Sequence, residues 1–261
     1  MSKCKITKKT VLSAAAVMLA AGVSTFSVFA AKKTHQVKRG ARALPDDFTI
    51  TAHAGANDTT ANTAESLEIC FGTAADTVEF DLNYNADGEP VLSHNTPEND
   101  DCCSLREAFA VAAKYTDKKI NVDVKSTEYL EKVPVIAKEF GLTDNIFFTG
   151  IELKDIDAVR EKAPNIKYWL NYGIDKAQLD NDSYIAMLVD TVKEAGAVGL
   201  NIHYSNATEA LVRALHENGL GISLWTVSTL PQMLLTISLS PDNITTIRPD
   251  DLADILKLLK N

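Results

Sequence analysis

Two acid-rich triplets stand out in the sequence, Glu79-Phe80-Asp81 and Asp123-Val124-Lys125, together with histidines at positions 53 and 94. A spacing of two places both charged residues of each triplet on one face of an extended strand. Carboxylates side by side on one face repel unless positive charge stands between them. Glu79, Asp81 and Asp123 form an all-oxygen set suited to a hard divalent cation, Mg²⁺ or Ca²⁺, with water and substrate completing its shell. Lys125 would add a second positive charge against a non-bridging oxygen of a bound anion. Because imidazole as a side-chain type can gain or lose a proton near neutral pH, His53 and His94 can serve as general base and general acid. Such an assembly suits cleavage of a phosphodiester, whose charge repels a nucleophile until neutralised and whose leaving group is poor until protonated. Each triplet alone fits a structural ion pair equally well, so the elements that carry the residues decide between the readings.

Thr77–Leu82 alternates apolar and polar residues as a strand does, with Val78, Phe80 and Leu82 opposite Glu79 and Asp81. The turn signal Asn-Ala-Asp-Gly at 85–88 then leads into a short strand, Pro90–Ser93, which delivers His94. From Phe48 onward strand and helix patterns otherwise alternate, in about eight units of roughly 25 residues each, which predicts a closed (β/α)₈ TIM barrel in one domain over 48–261, with a small β-hairpin after strand two. A doubly wound open sheet is the competing architecture, but no glycine-rich phosphate loop follows the first strand. Barrel active sites lie at the carboxyl ends of the strands. The predicted strand ends bring His53, Glu79, Asp81, Asp123 and Lys125 to one mouth, with Asn171, Asn201, His203, Trp225 and Thr226 around it. Trp225 reads as a core aromatic or as a wall of the substrate pocket. His203 reads as a bystander or wall residue, and His216 as a surface residue of a helix.

Ahead of the barrel, four lysines precede an apolar run from Val11 to Phe29, and Val28-Phe29-Ala30 fits a small-residue cleavage site. Residues 1–30 thus read as a secretory signal peptide cut after Ala30, with an uncleaved membrane anchor as the competing reading. Residues 31–47 are basic and lack hydrophobic periodicity, which predicts a linker able to associate with an anionic cell surface. Loss of the four leader lysines takes the net charge from −9 to −13. A balance that acidic argues against nucleic-acid binding and leaves a local cation or metal to hold an anionic substrate. Cys70, Cys102 and Cys103 remain after the leader, an odd number in an oxidising compartment. Either of the last two can pair with Cys70, or Cys70 can simply be buried.

The spaced motifs resemble the glycerophosphodiester phosphodiesterase family from about Thr49 to Leu259. HAG at 53–55 stands where that family has His-Arg-Gly, and ANT at 61–63 where it has Glu-Asn-Thr. AADTVEFD at 74–81, ADGEPVLSHN at 86–95, Asp123-Val124-Lys125, WTVS at 225–228 and TIRP at 246–249 follow in the family's order. The resemblance implies a metal-dependent barrel in which Glu79, Asp81 and Asp123 hold the ion and His53 and His94 form the acid/base pair. The implied reaction takes a small-molecule phosphodiester to an alcohol and glycerol 3-phosphate. Three positions depart from the pattern. Ala54 replaces the arginine expected to contact phosphate, Ala61 replaces a glutamate, and Asn95 replaces an aspartate. The stretch TPENDDCC at 96–103 is short where the family often carries an insertion. Asp-x-Lys and HNTP followed by cysteines are also similar to sphingomyelinase D type phospholipases, which keeps a lysophospholipid or sphingolipid substrate open. The departures also leave a third reading, a catalytically weakened barrel that binds phosphate-bearing ligands.

Overall fold

The computed structural model describes residues 24–98 and 101–260. Eight parallel strands close into a barrel: β1 (Thr49–Ala52), β2 (Thr77–Tyr84), β4 (Lys119–Val124), β5 (Ile146–Ile151), β6 (Tyr168–Asn171), β7 (Gly199–His203), β8 (Gly221–Val227) and β9 (Asn243–Thr246). Pairing of β1 with both β9 and β2 completes the ring. The short strand β3 (Pro90–Leu92) folds back antiparallel on β2 as the predicted hairpin. Its turn closes through Gly88 N donating to the Asn85 carbonyl oxygen (2.9 Å), with Gly88 at a φ of 72°, where a side chain is disfavoured.

Helices alternate with the strands around the outside: α2 (Ala64–Phe71), α3 (Leu105–Ala112), α4 (Lys132–Glu139), α5 (Ile156–Lys162), α6 (Asp182–Ala195), α7 (Glu209–Glu217), α8 (Leu230–Ser238) and α9 (Pro249–Lys260). Their starts are set by local chemistry. Ser104 forms a reciprocal capping box with Glu107 at α3, and Thr63 and Thr208 accept the free N–H groups of α2 and α7. Phe71, Phe80, Phe109 and Phe148 are fully buried between strands and helices. Covered on both faces, β2 is buried along its whole length, acids included. The solvated strand face that an alternating pattern also allows is thereby excluded for Glu79 and Asp81.

The basic stretch 31–47 differs from the linker predicted for it. Ser24–Ala43 forms a continuous helix, α1, packed on α8 and α9. Its contact face carries Val37, Gly40 and Ala41, continued by Leu44 just past its end, and two of these four residues are too small to register as hydrophobic. Smallness is what the contact needs, because a Cβ on Gly40 would lie 2.3 Å from the Ile237 carbonyl oxygen. Ala41 is fully buried, and Arg39 pairs with Glu209 at 3.7 Å. Residues 1–23, most of the predicted signal peptide, lie outside the described residues, and among those described no helix is long and apolar enough to cross a membrane.

Candidate active site

The register of adjacent strands assembles the acids. Asp81 of β2 pairs with Asp123 of β4, and Glu79 lies two residues deeper, beside Asn121. One oxygen from each of Glu79, Asp81 and Asp123 lies within 4.8 Å of the other two. Lys125, one residue past β4, turns its ammonium back over the pair, 2.9 Å from Asp81 Oδ1 and 2.6 Å from Asp123 Oδ2. Burial alone would lower its pKa, but the two aspartates outweigh burial and hold it above the ordinary lysine value.

Glu79 has no such partner. Its Oε2 accepts the Ala54 N–H at 2.6 Å, and the side chain is buried. Burial, then the charges of Asp81 and Asp123, push its carboxyl well above the usual range, against the smaller opposing pull of the Ala54 amide and Lys125. With all three carboxylates ionised, one ammonium leaves two negative charges uncompensated, a state that burial and mutual repulsion oppose at Glu79. That excess is the charge of a divalent cation, and the donors are the hard oxygens such an ion prefers.

Both predicted histidines face the same space. His53, just beyond β1, places Nδ1 2.8 Å from the Ala54 carbonyl oxygen. A carbonyl only accepts, so Nδ1 donates to it, and in the neutral ring Nε2 is then the nitrogen that can take a proton. His94, exposed on the loop after β3, has Nδ1 3.2 Å from Asn95 Oδ1. The two histidines, the three acids, Lys125 and Trp225 all line one cavity of about 370 Å³ at the carboxyl ends of the strands. Trp225 is the aromatic among its lining residues, with the His203 ring edge-on to it at 5.7 Å, and the buried Trp225 indole N–H has no hydrogen-bond partner among the described residues. His216 lies elsewhere, paired with Asp242 at 2.9 Å.

Two site residues escaped the sequence reading. Asn62, where helix-favouring residues begin in the sequence, lies outside α2 at a φ of 62°. There its Nδ2 donates to Asp81 Oδ2 (2.8 Å) and its Oδ1 accepts the Asp81 N–H (3.0 Å). Its membership of the ANT motif was the available signal. Gly150 sits against Asp123 at a φ of 76°, where a Cβ would come within 2.5 Å of Asp123 Oδ1. Thr149 approaches the same oxygen at 3.0 Å. Cys70, Cys102 and Cys103 are free thiols, so neither pairing with Cys70 is formed.

A closed parallel barrel with clustered carboxylates, a lysine and two histidines at its mouth defines the class, a (β/α)₈-barrel phosphoric diester hydrolase. Residues 111–251 match the model of the glycerophosphoryl diester phosphodiesterase family, and the chain belongs to that family. Solved structures share the architecture. A glycerophosphodiester phosphodiesterase from Parabacteroides distasonis superposes with a TM-score of 0.66 at 18% identity, over 81% of this chain and 98% of its own. The enzyme from Thermotoga maritima gives 0.62 at 22% identity, over 79% of this chain and 97% of its own. An Oleispira antarctica phosphodiesterase in complex with the product sn-glycerol-3-phosphate gives 0.65 at 17%, over 84% and 99%. At such identities the likeness is one of fold. No curated protein matches the chain.

Proposed function

We propose that this chain hydrolyses glycerophosphodiesters to an alcohol and glycerol 3-phosphate, with a divalent cation at Glu79, Asp81 and Asp123 and with His53 and His94 as base and acid. The observation that carries the reading is the cluster of three carboxyl groups facing a single ammonium in one cavity with two histidines. The product bound to the Oleispira antarctica phosphodiesterase has the same chemistry as the product proposed here. A cation held by the three carboxylates would supply positive charge against the phosphoryl oxygens. His53 takes the proton of the attacking oxygen at Nε2, and His94 delivers a proton to the bridging oxygen of the departing alcohol. Lys125 faces the remaining phosphoryl charge, and Trp225 forms the wall opposite. Ala54 offers no side-chain contact to phosphate, so Lys125 and the cation carry that task.

The leader supports export. The lysines and apolar run ahead of Ala30 address the chain to secretion, and a cut there would leave the contact face of α1 intact. The exposed basic residues of α1, Lys38 and Arg42 among them, suit association with an anionic cell surface.

Release of glycerol 3-phosphate from glycerophosphocholine and glycerophosphoethanolamine tests the reading, run with Mg²⁺, with Ca²⁺ and with a chelator. Turnover restored by metal is the expected result. Turnover of lysophospholipid alone would move the substrate to lipids, and no turnover by a folded, metal-binding protein would make the barrel a binding protein.

Asn62 provides an independent check on the metal site. Groups that orient a metal ligand typically contribute about 10–100-fold to affinity or activity. Asn62→Ala should weaken Mg²⁺ binding by about that factor in a calorimetric titration. Asn62→Gly, which relieves the left-handed backbone, should weaken it equally. Recovery of normal binding in the glycine variant would trace the loss to backbone strain rather than to the bonds with Asp81.

A further inference from the structure

Asn171, the last residue of β6, lines the central cavity and takes no part in the carboxylate cluster. Between Phe148 and Ile151 the register of β5 against β6 shifts, an irregularity that takes backbone groups out of the ladder. The Gly150 N–H, freed there, donates instead to Asn171 Oδ1 at 3.1 Å. From the other side Asn201 Nδ2, on the paired residue of β7, donates to the same oxygen at 2.9 Å. A backbone N–H can only donate, so Gly150 fixes which end of the Asn171 amide is oxygen. The NH₂ group at Nδ2 is left without a hydrogen bond to any described residue. The buried, unpartnered polar side-chain atoms among those residues are Tyr84 Oη, Trp225 Nε1 and Thr236 Oγ1, so Asn171 Nδ2 is open to the cavity rather than sealed.

Both lysines that line the cavity are already engaged. Lys125 spends two of its three donors on Asp81 and Asp123, and Lys154 pairs with Glu152 at 2.7 Å. The Asn171 NH₂ is neutral, and the bonds from β5 and β7 aim it before any substrate arrives. A donor preorganised in this way stabilises negative charge as it develops, with no reorganisation at the moment of reaction. We infer that Asn171 is a substrate-binding residue whose Nδ2 donates to a non-bridging oxygen of the phosphodiester, with Gly150 and Asn201 as its positioning residues. The inference rests on the proposed hydrolase reading. Gly150 locates the contact, because its N–H holds the Asn171 amide while a Cβ on it would lie 2.5 Å from Asp123 Oδ1. The amide therefore flanks the carboxylate cluster, where the phosphoryl group lies in that reading. Lys125 supplies charge there and Asn171 supplies direction.

The test compares glycerophosphocholine with its two phosphorothioate diastereomers, in which sulfur replaces one or the other non-bridging oxygen, using the full chain and Mg²⁺. Asn171→Ala should lower kcat/KM for the oxygen diester by about 10²-fold, the scale of one preorganised donor. Sulfur is a weak acceptor, so wild type should be slowed by sulfur at the position facing Asn171. Asn171→Ala should shrink that one oxygen-to-sulfur rate ratio by about tenfold, the worth of a hydrogen bond to a charged group, and leave the ratio for the other diastereomer unchanged. A merely structural amide would move neither ratio. Asn171→Asp keeps the shape and both accepted bonds, so it answers the question where the alanine variant fails to fold. It should shrink the same single ratio, because its added charge repels both diastereomers alike. Ratios unchanged in the folded variants, or turnover by Asn171→Asp equal to wild type, would overturn the assignment while leaving the hydrolase reading standing. Absence of turnover of all three diesters by Mg²⁺-loaded wild type would overturn both.

Discussion

His53→Ala lowers kcat for glycerophosphocholine by about 10²–10⁴-fold, the range that a positioned general base contributes, while Mg²⁺ binding stays within a small factor of wild type. The separation follows from where the imidazole is attached. The hydrogen bonds of the three carboxylates run to Ala54, Asn62, Lys125 and Thr149 rather than to His53, whose Nδ1–H goes to the Ala54 carbonyl oxygen. The amide that supports Glu79 is the backbone N–H of Ala54, which the substitution leaves in place. A variant that binds metal but does not turn over therefore isolates the proton transfer at Nε2. Small imidazoles added to the solution should restore part of the lost rate, since the space vacated by the ring opens on the cavity. Undiminished activity in His53→Ala would remove it as the base, and loss of Mg²⁺ binding would mean that the histidine supports the metal site instead.

Most of the candidate site could be read from the sequence because barrel chemistry obeys two simple periodicities. Strand alternation places Glu79 with Asp81 and Asp123 with Lys125, and a parallel register then sets Asp81 beside Asp123. What pattern reading missed was set by neighbours distant in sequence. Asn62 reads as a helix start because its neighbours favour a helix, yet two hydrogen bonds to Asp81 hold it outside α2. Gly150 carries no signal in the sequence, and only the approach of Asp123 and the Val124 carbonyl shows why no side chain fits there. The contact stripe of α1 was hidden for the opposite reason, since Gly40 and Ala41 are buried for their small size and carry little hydrophobic signal. Cysteine pairing could not be read at all, because spacing along the chain does not fix distance between thiols.

Replacing Glu79 with glutamine should separate stability from activity. Glutamine keeps the shape and can still accept the Ala54 N–H, but it brings no charge into the buried cluster. Because the folded carboxyl is held well above its ordinary value by burial and by Asp81 and Asp123, the folded state keeps its proton after the unfolded chain has lost its own. The metal-free wild-type protein therefore loses stability as pH rises through the ordinary carboxyl range, until the folded carboxyl itself ionises. Glu79→Gln removes this loss. Metal-free, it should melt above wild type at neutral pH in a thermal scan, each kcal/mol gained raising the midpoint by roughly 2–4 °C for a domain of this size. The gap should shrink toward zero below the ordinary carboxyl value. Mg²⁺ binding should reverse the order, stabilising wild type and not the variant, because the cation binds the folded ionised site and displaces the Glu79 proton. For the same reason wild-type Mg²⁺ affinity should rise with pH. Turnover in the variant should fall by at least about 10³-fold, as expected when several kcal/mol of charge stabilisation are lost. A metal-free Glu79→Gln protein less stable than wild type would show that the ionised carboxylate is already compensated by Lys125, and normal Mg²⁺ affinity in it would remove Glu79 from the metal site.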